Sequence, residues 1–356
     1  IRAGLNSRWA VLLSVCGFIV FLSFSRALLM PPLAWDCLTY HLTFAALWIQ
    51  KGTLFLFKAP DQIFTCEFLP INGEIFASWL LLPFHNDLLA NTMNFPITLL
   101  GGISCYAIAR ELGLTRKEAG FAPVLICFAP VIYSQITNQY VDSAVFTFCS
   151  VAVLFTLRYL RKGYLQDSFL SLIASGILLG TKFTGIPIIG LILIANTMKT
   201  VSLVKYRGAL KKLILFLLGI SILCALGGRQ YIINTIDAGN PLYPFPVKVL
   251  GNEVFDGWPK LEEEKKWIAE YETKVGHDKF SLWEREFIKF CYVSRTAGPK
   301  YLLFLFLGLA SLFIRPRDIP KRVWYVLTAL WIIPLVLYYL NDSATFTRMG
   351  RWVESS

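Results

Sequence analysis

The sequence predicts an all-α polytopic membrane protein of about nine spans, and three observations carry that prediction. Of 356 residues, 56% are apolar and 16% charged, where a soluble domain averages about 25% charged. Mean hydropathy is +0.57, and the apolar residues fall into runs near the roughly 20 residues that cross a bilayer. Basic residues outnumber acidic ones, 34 to 23, yet they stand in short clusters between those runs. Such a composition excludes an ordinary cytosolic globule, a disordered chain and a small disulfide scaffold. A nucleic-acid partner is also excluded, because that footprint needs a Lys/Arg-rich soluble face. The net charge of +11 therefore reports orientation in the membrane.

In chain order, the clearest spans are residues 9–29, 88–109, 119–136, 143–157, 213–228 and 323–340. Residues 301–314 are shorter, but Lys300 and Arg315 flank them and can snorkel. The run 164–198 is interrupted by Gly180-Thr-Lys-Phe-Thr-Gly185, and residues 71–84 are bounded by Pro70 and Pro83 and contain Glu74. Charge decides both segments. If 164–198 is two spans and 71–84 lies in the interface, five clusters share one side: Arg2 and Arg8; Arg110 to Lys117; Arg158 to Lys162; Lys199 to Lys212; Arg315 to Arg322. That side holds seventeen basic and four acidic residues and the other side is slightly acidic, as the positive-inside rule expects.

The expected organisation is a single transmembrane bundle over 1–356 with a cytoplasmic N-terminus. Two extracytoplasmic loops, 30–87 and 230–299, carry interfacial helices. No cleaved signal peptide is expected, because the first apolar run is long enough to anchor and lacks a small-residue exit. Within the second loop, Asn240-Pro-Leu-Tyr-Pro-Phe-Pro246 reads as a rigid turn. Residues 261–290 read as amphipathic helices on the membrane surface or as a solvated lid.

Five of eight cysteines lie inside spans, where a thiol is a small apolar group. Cys37, Cys66 and Cys291 face out, and a Cys37–Cys66 bridge is open in an oxidising compartment. No spacing predicts zinc or redox work. No cofactor is expected, although a divalent cation stays open.

The chemistry-bearing residues cluster at the outer ends of spans. Asp36 follows the first span after Pro31, Pro32 and Trp35. It suits a general base or an N-cap for a helix over 37–50. Asp142 opens the fourth span on the same surface and has the same two readings. Lys182, alone in an apolar stretch, needs a partner. It suits a phosphate, with Arg229 as second contact, or a salt bridge to Asp142 or Asp36. His41 reads first as a hydrogen-bonded structural residue, and Glu74 as the polar face of an interfacial helix.

Trp35-Asp-Cys-Leu-Thr-Tyr-His41, Leu69-Pro-Ile-Asn-Gly-Glu74, Gln139-Tyr-Val-Asp142, Gly180-Thr-Lys-Phe-Thr-Gly185 and Asn234 with Gly239-Asn-Pro-Leu-Tyr-Pro244 occur in this order over about residues 30–250. Taken together they resemble the GT-C superfamily of polytopic glycosyltransferases, in the branch similar to bacterial protein O-mannosyltransferases and the aminoarabinose transferase of lipid A. The resemblance implies a GT-C-like fold in a bacterial inner membrane. It implies a polyprenyl-phosphate sugar donor and transfer, with inversion, to a lipid, glycan or protein acceptor outside the cytoplasm. It implies Asp36 as catalytic base, Asp142 as second acid and Lys182 as a donor-phosphate contact. Tyr40, His41, Glu74 and Asn240 would support them. Membrane lipids and membrane protein partners are further expected contacts.

Two other classes compete. A non-catalytic subunit with the same fold would serve as scaffold or lipid binder. A transporter would place its polar groups near the midplane, whereas these gather at one surface.

Overall fold

The computed structural model describes residues 7–55, 66–204, 209–249 and 252–258. The expected spans 301–314 and 323–340 and the helices expected over 261–290 lie outside the described residues. Twelve helices are described: α1 (Ser7–Leu29), α2 (Leu42–Lys51), α3 (Asn72–Leu81), α4 (Asn94–Glu111), α5 (Arg116–Ala119), α6 (Phe121–Cys127), α7 (Pro130–Tyr133), α8 (Asp142–Lys162), α9 (Leu165–Leu179), α10 (Ile186–Val204), α11 (Ala209–Gly227) and α12 (Arg229–Ala238). A π-helical turn, Cys37–His41, leads into α2. Four segments, Ala90–Glu111, Asp142–Lys162, Phe183–Leu203 and Leu210–Gly227, are long and apolar enough to cross a membrane, and Leu13–Leu29 and Leu165–Leu179 are shorter apolar helices. This is a multi-pass membrane architecture.

Side-chain pairings give the direction of each pass. Thr147 of α8 donates to the Ile97 carbonyl of α4, and Arg161 and Lys162 reach Glu111, so α4 and α8 run parallel. Between them α5–α7 return antiparallel to α4, with Cys127 on the Thr98 carbonyl and Asn94 on the Gln135 carbonyl. Ser171 of α9 meets Thr156 of α8, and Asn196 of α10 accepts from Ser168 near the start of α9; α9 thus opposes both neighbours. The Gly180-to-Gly185 interruption is a turn, and the stretch 164–198 is two helices, as charge predicts. At ten residues, α3 is about 15 Å long, half the hydrocarbon thickness.

The return pass departs from expectation. Residues 119–136 form no continuous span: α6 ends at Cys127 and α7 starts at Pro130. Proline lacks the N–H for the helix ladder and disfavours helix at the residue before it. A second departure is a two-stranded antiparallel ribbon, β1 (Val247–Val249) with β2 (Asn252–Phe255). Pro241, Pro244 and Pro246 forbid a helix there, and the Val-Lys-Val alternation takes over. No Cys37–Cys66 bridge forms: both cysteines are free, Cys37 being buried with its sulfur accepting from the Gln139 backbone N–H at 3.2 Å.

Basic residues collect at one end of the bundle. Arg158 reaches Asp167 at 3.3 Å, and Glu111 accepts from Arg161 and Lys162 at 3.0 and 3.2 Å. Asp36, Asp142 and Lys182 lie at the opposite end, where amides tie the loops down. Asn72 donates to the Ile177 and Leu226 carbonyls, Gln230 to that of Glu67, and Asn234 to those of Phe68 and Tyr243. In an apolar medium such satisfied amides hold irregular backbone that would otherwise be costly.

Helices α9 and α11 run parallel in backbone contact. A Cβ on Gly176 would sit 2.8 Å from both Cα and the carbonyl oxygen of Leu223, and one on Gly227 would fall onto the Gly176 carbonyl. Small residues of this kind let membrane helices approach closely. Gly176→Ala is therefore expected to lower stability by about 1–3 kcal/mol, read as melting temperature in detergent. Gly190→Ala in α10, where a Cβ meets open space, is the control and should leave melting unchanged or raised.

Candidate functional site

The site begins where the chain leaves α1. Pro31 and Pro32 stop the helix, the π-helical turn follows, and Asp36 stands at its head. Its side chain makes no cap hydrogen bond, so the capping role fails. Partial burial instead pushes the Asp36 carboxyl above the usual Asp range; His41 and Lys182 pull it down, and Asp142 adds to the rise. These four groups, from three separate stretches of chain, therefore share one electrostatic neighbourhood.

Asp142 is the first residue of α8, with Val141 and not Asp142 at the N-cap. Its Oδ1 accepts from Lys182 Nζ at 2.5 Å and its Oδ2 from Gln135 Nε2 at 3.2 Å. Lys182 is itself the extended residue that leads from α9 into the Phe183–Gly185 turn. The two side chains are 38% and 47% exposed, so solvent screens the pair and it contributes about 0–1 kcal/mol. Lys182→Gln is accordingly expected to melt within about 1 kcal/mol of wild type, which thermal unfolding in detergent reads directly.

Beneath Asp36 the surroundings are dry. His41 Nδ1 and Glu74 Oε1 are 2.6 Å apart, both side chains are buried, and the Tyr40 ring centroid lies 4.0 Å from that of His41. Glu74 thus faces the protein interior, not the polar side of an interfacial helix as the sequence reading had it. Its Oε2 has no hydrogen-bond partner among the described residues. Burial raises the Tyr40 hydroxyl and pushes the Cys37 and Cys66 thiols up to about 12, so none of the three is an acid at neutral pH.

No protein family and no curated protein matches the chain. Among solved structures, it is similar to the crystal structure of ArnT from Cupriavidus metallidurans in the apo state, at 16% identity and TM-score 0.47, with 96% of this chain covered. The chain spans 62% of the length of that structure.

Two predicted contacts are engaged elsewhere. Arg229, first residue of α12, donates to the Leu54 carbonyl at 2.9 Å, and desolvation lowers its pKa. It is not among the charges acting on Asp36. Asn240 is buried in its own turn: Nδ2 donates to the Phe245 and Asp256 carbonyls, and Oδ1 accepts from Leu242 N–H.

Sequence reasoning missed Gln135 and Tyr140. Gln135 orients Asp142, and Tyr140 is raised by burial and by the Asp36 charge. Gln135 falls inside what reads as an apolar span, so its approach to Asp142 needs the break before α7. Tyr140 was legible only as part of the Gln139-to-Asp142 string.

Proposed function

We propose that the protein is a GT-C type membrane glycosyltransferase. It takes a sugar from a polyprenyl-phosphate donor and passes it to a lipid, glycan or protein acceptor on the extracytoplasmic side of a bacterial inner membrane. The observation that carries this reading is the part-buried Asp36 carboxylate beside the Lys182–Asp142 pair, at the end of the bundle opposite its basic cluster. By the positive-inside rule that end faces away from the cytoplasm.

Asp36 accepts the proton of an acceptor hydroxyl or amine as its oxygen or nitrogen attacks the anomeric carbon from the face opposite the phosphate. The bond from that carbon to the phosphate oxygen breaks, and the electron pair leaves with polyprenyl phosphate. Its charge is met by Lys182, which exchanges Asp142 for the phosphate, while Asp142 with Gln135 orients the acceptor. A raised carboxyl is a stronger base than an ordinary Asp, and the His41–Glu74 pair fixes the wall behind it.

The test is turnover. Purified full chain in proteoliposomes, given labelled polyprenyl-phosphate sugar and a membrane extract as acceptor, is expected to move label and release polyprenyl phosphate in equal amounts. Release no faster than with heat-treated protein sinks the proposal. The Lys182–Asp142 pair favours one other reading, a non-catalytic subunit in which it only joins α8 to the α9–α10 turn. That reading predicts stable co-purification with a membrane partner and no turnover.

A further inference from the structure

A second candidate site lies along the 30–34 linker. A cleft of about 230 Å³ opens between the end of α1 and the loop after α7, lined by Arg26, Met30, Leu33, Asn91, Thr137 and Asn138 among others. The elements that carry its lining residues are tied together. Ser23 of α1 bonds the Tyr133 hydroxyl at 2.7 Å, Phe24 packs edge-on against Phe95 at 5.1 Å, and Asn91 donates to the Met30 carbonyl at 2.8 Å while accepting from Gln139.

Arg26 stands in the last turn of α1, and no described side chain accepts from it. Below it, Phe18 and Leu22 lie on the same helix face at four-residue spacing, 62% and 50% exposed, and Leu29 above is 82% exposed. A long apolar stripe ending in a cation with no partner among the described side chains, at a helix end, has the polarity of a lipid: chain against the stripe, phosphate at the guanidinium. Arginine offers its planar fork to two phosphate oxygens, and Thr137 lines the same cleft.

We propose that this cleft binds the headgroup of an anionic phospholipid, with Arg26 as its phosphate ligand and the Phe18–Leu22 stripe as the bed for an acyl chain. The occupant is a lipid and not a free phosphate, because the cation is placed above a lipid-facing stripe. Asp36 is not among the residues that line the cleft, and binding there needs no transfer chemistry.

The test is native mass spectrometry of the full chain titrated with phosphatidylglycerol, with phosphatidylcholine, and with glycerol phosphate as the soluble headgroup. Phosphatidylglycerol is expected to outbind phosphatidylcholine, and Arg26→Gln to weaken it about fivefold, with Arg26→Lys between. Arg110→Gln, which removes an exposed cation at the opposite end of the bundle that donates to the Leu114 carbonyl, should leave binding unchanged. Thr137→Val supplies a second variant should Arg26→Gln misfold, and it is expected to weaken phosphatidylglycerol binding. Equal binding of both lipids, glycerol phosphate binding as tightly as the lipid, or Arg26 and Thr137 variants that match wild type would each overturn the proposal.

Discussion

Asp36→Asn is expected to cut sugar transfer by about 10²–10⁴-fold while the protein stays folded and in the membrane. The amide keeps the shape of the side chain but cannot take the acceptor's proton. Folding should survive because Asp36 makes no cap bond and its charged form is disfavoured by partial burial. The sign of the pH effect follows. A raised carboxyl holds its proton more tightly in the folded chain than in the unfolded one, so this group subtracts stability as pH rises above the unfolded value. The variant lacks that loss and should melt at or above wild type near neutral pH. Transfer by wild type should conversely fall as the pH drops through a value above the ordinary Asp range, since only the ionised form is a base. Variant turnover within a few-fold of wild type would remove Asp36 from the chemistry. Lost turnover with a collapsed melting temperature would instead make it a folding residue.

Glu74→Ala carries the largest expected loss of stability. Glu74 and His41 are 33 positions apart and join α3 to the π-helical turn through one 2.6 Å contact in a dry place. Removing the carboxylate strands the buried imidazole N–H, and truncating one member of a buried pair costs about 2–4 kcal/mol. Glu74→Gln retains an acceptor and should cost less. His41→Phe with Glu74→Leu should recover part of the loss, because two well-packed apolar groups replace a buried polar pair at little net cost. The readout is thermal unfolding in detergent beside Lys182→Gln, whose pair is half exposed. If Glu74→Ala melts no lower than Lys182→Gln, the buried pair holds nothing together.

The contrast between these two ion pairs shows where sequence reasoning stopped. Both pair a cationic or imidazole side chain with a carboxylate across distant sequence. For Lys182 a partner was legible, because a lone lysine in an apolar run cannot stand unpaired, and Asp142 lay at the same end by topology. For Glu74 nothing local signals burial. Its helix is apolar and short, and Gly73, where a Cβ would fall onto Val141, lets α3 press close beside His41. Arg229 fails for the opposite reason: it does stand just past the end of an apolar helix, but its guanidinium donates to the Leu54 carbonyl, and a sequence carries no record of direction.

Bilayer thickness and helix rise translate apolar run length directly into spans, and clustered Lys and Arg give the chain its alternation. These are one-dimensional properties, so the helical bundle, the turn at Gly180 to Gly185 and the shared end of Asp36, Asp142 and Lys182 could be read along the chain. The break before Pro130, the contact of Gln135 with Asp142, the buried His41–Glu74 pair and the walled cleft at Arg26 could not. Each depends on which face a helix turns to its neighbour and how closely two backbones approach, and these are settled by packing between residues tens of positions apart.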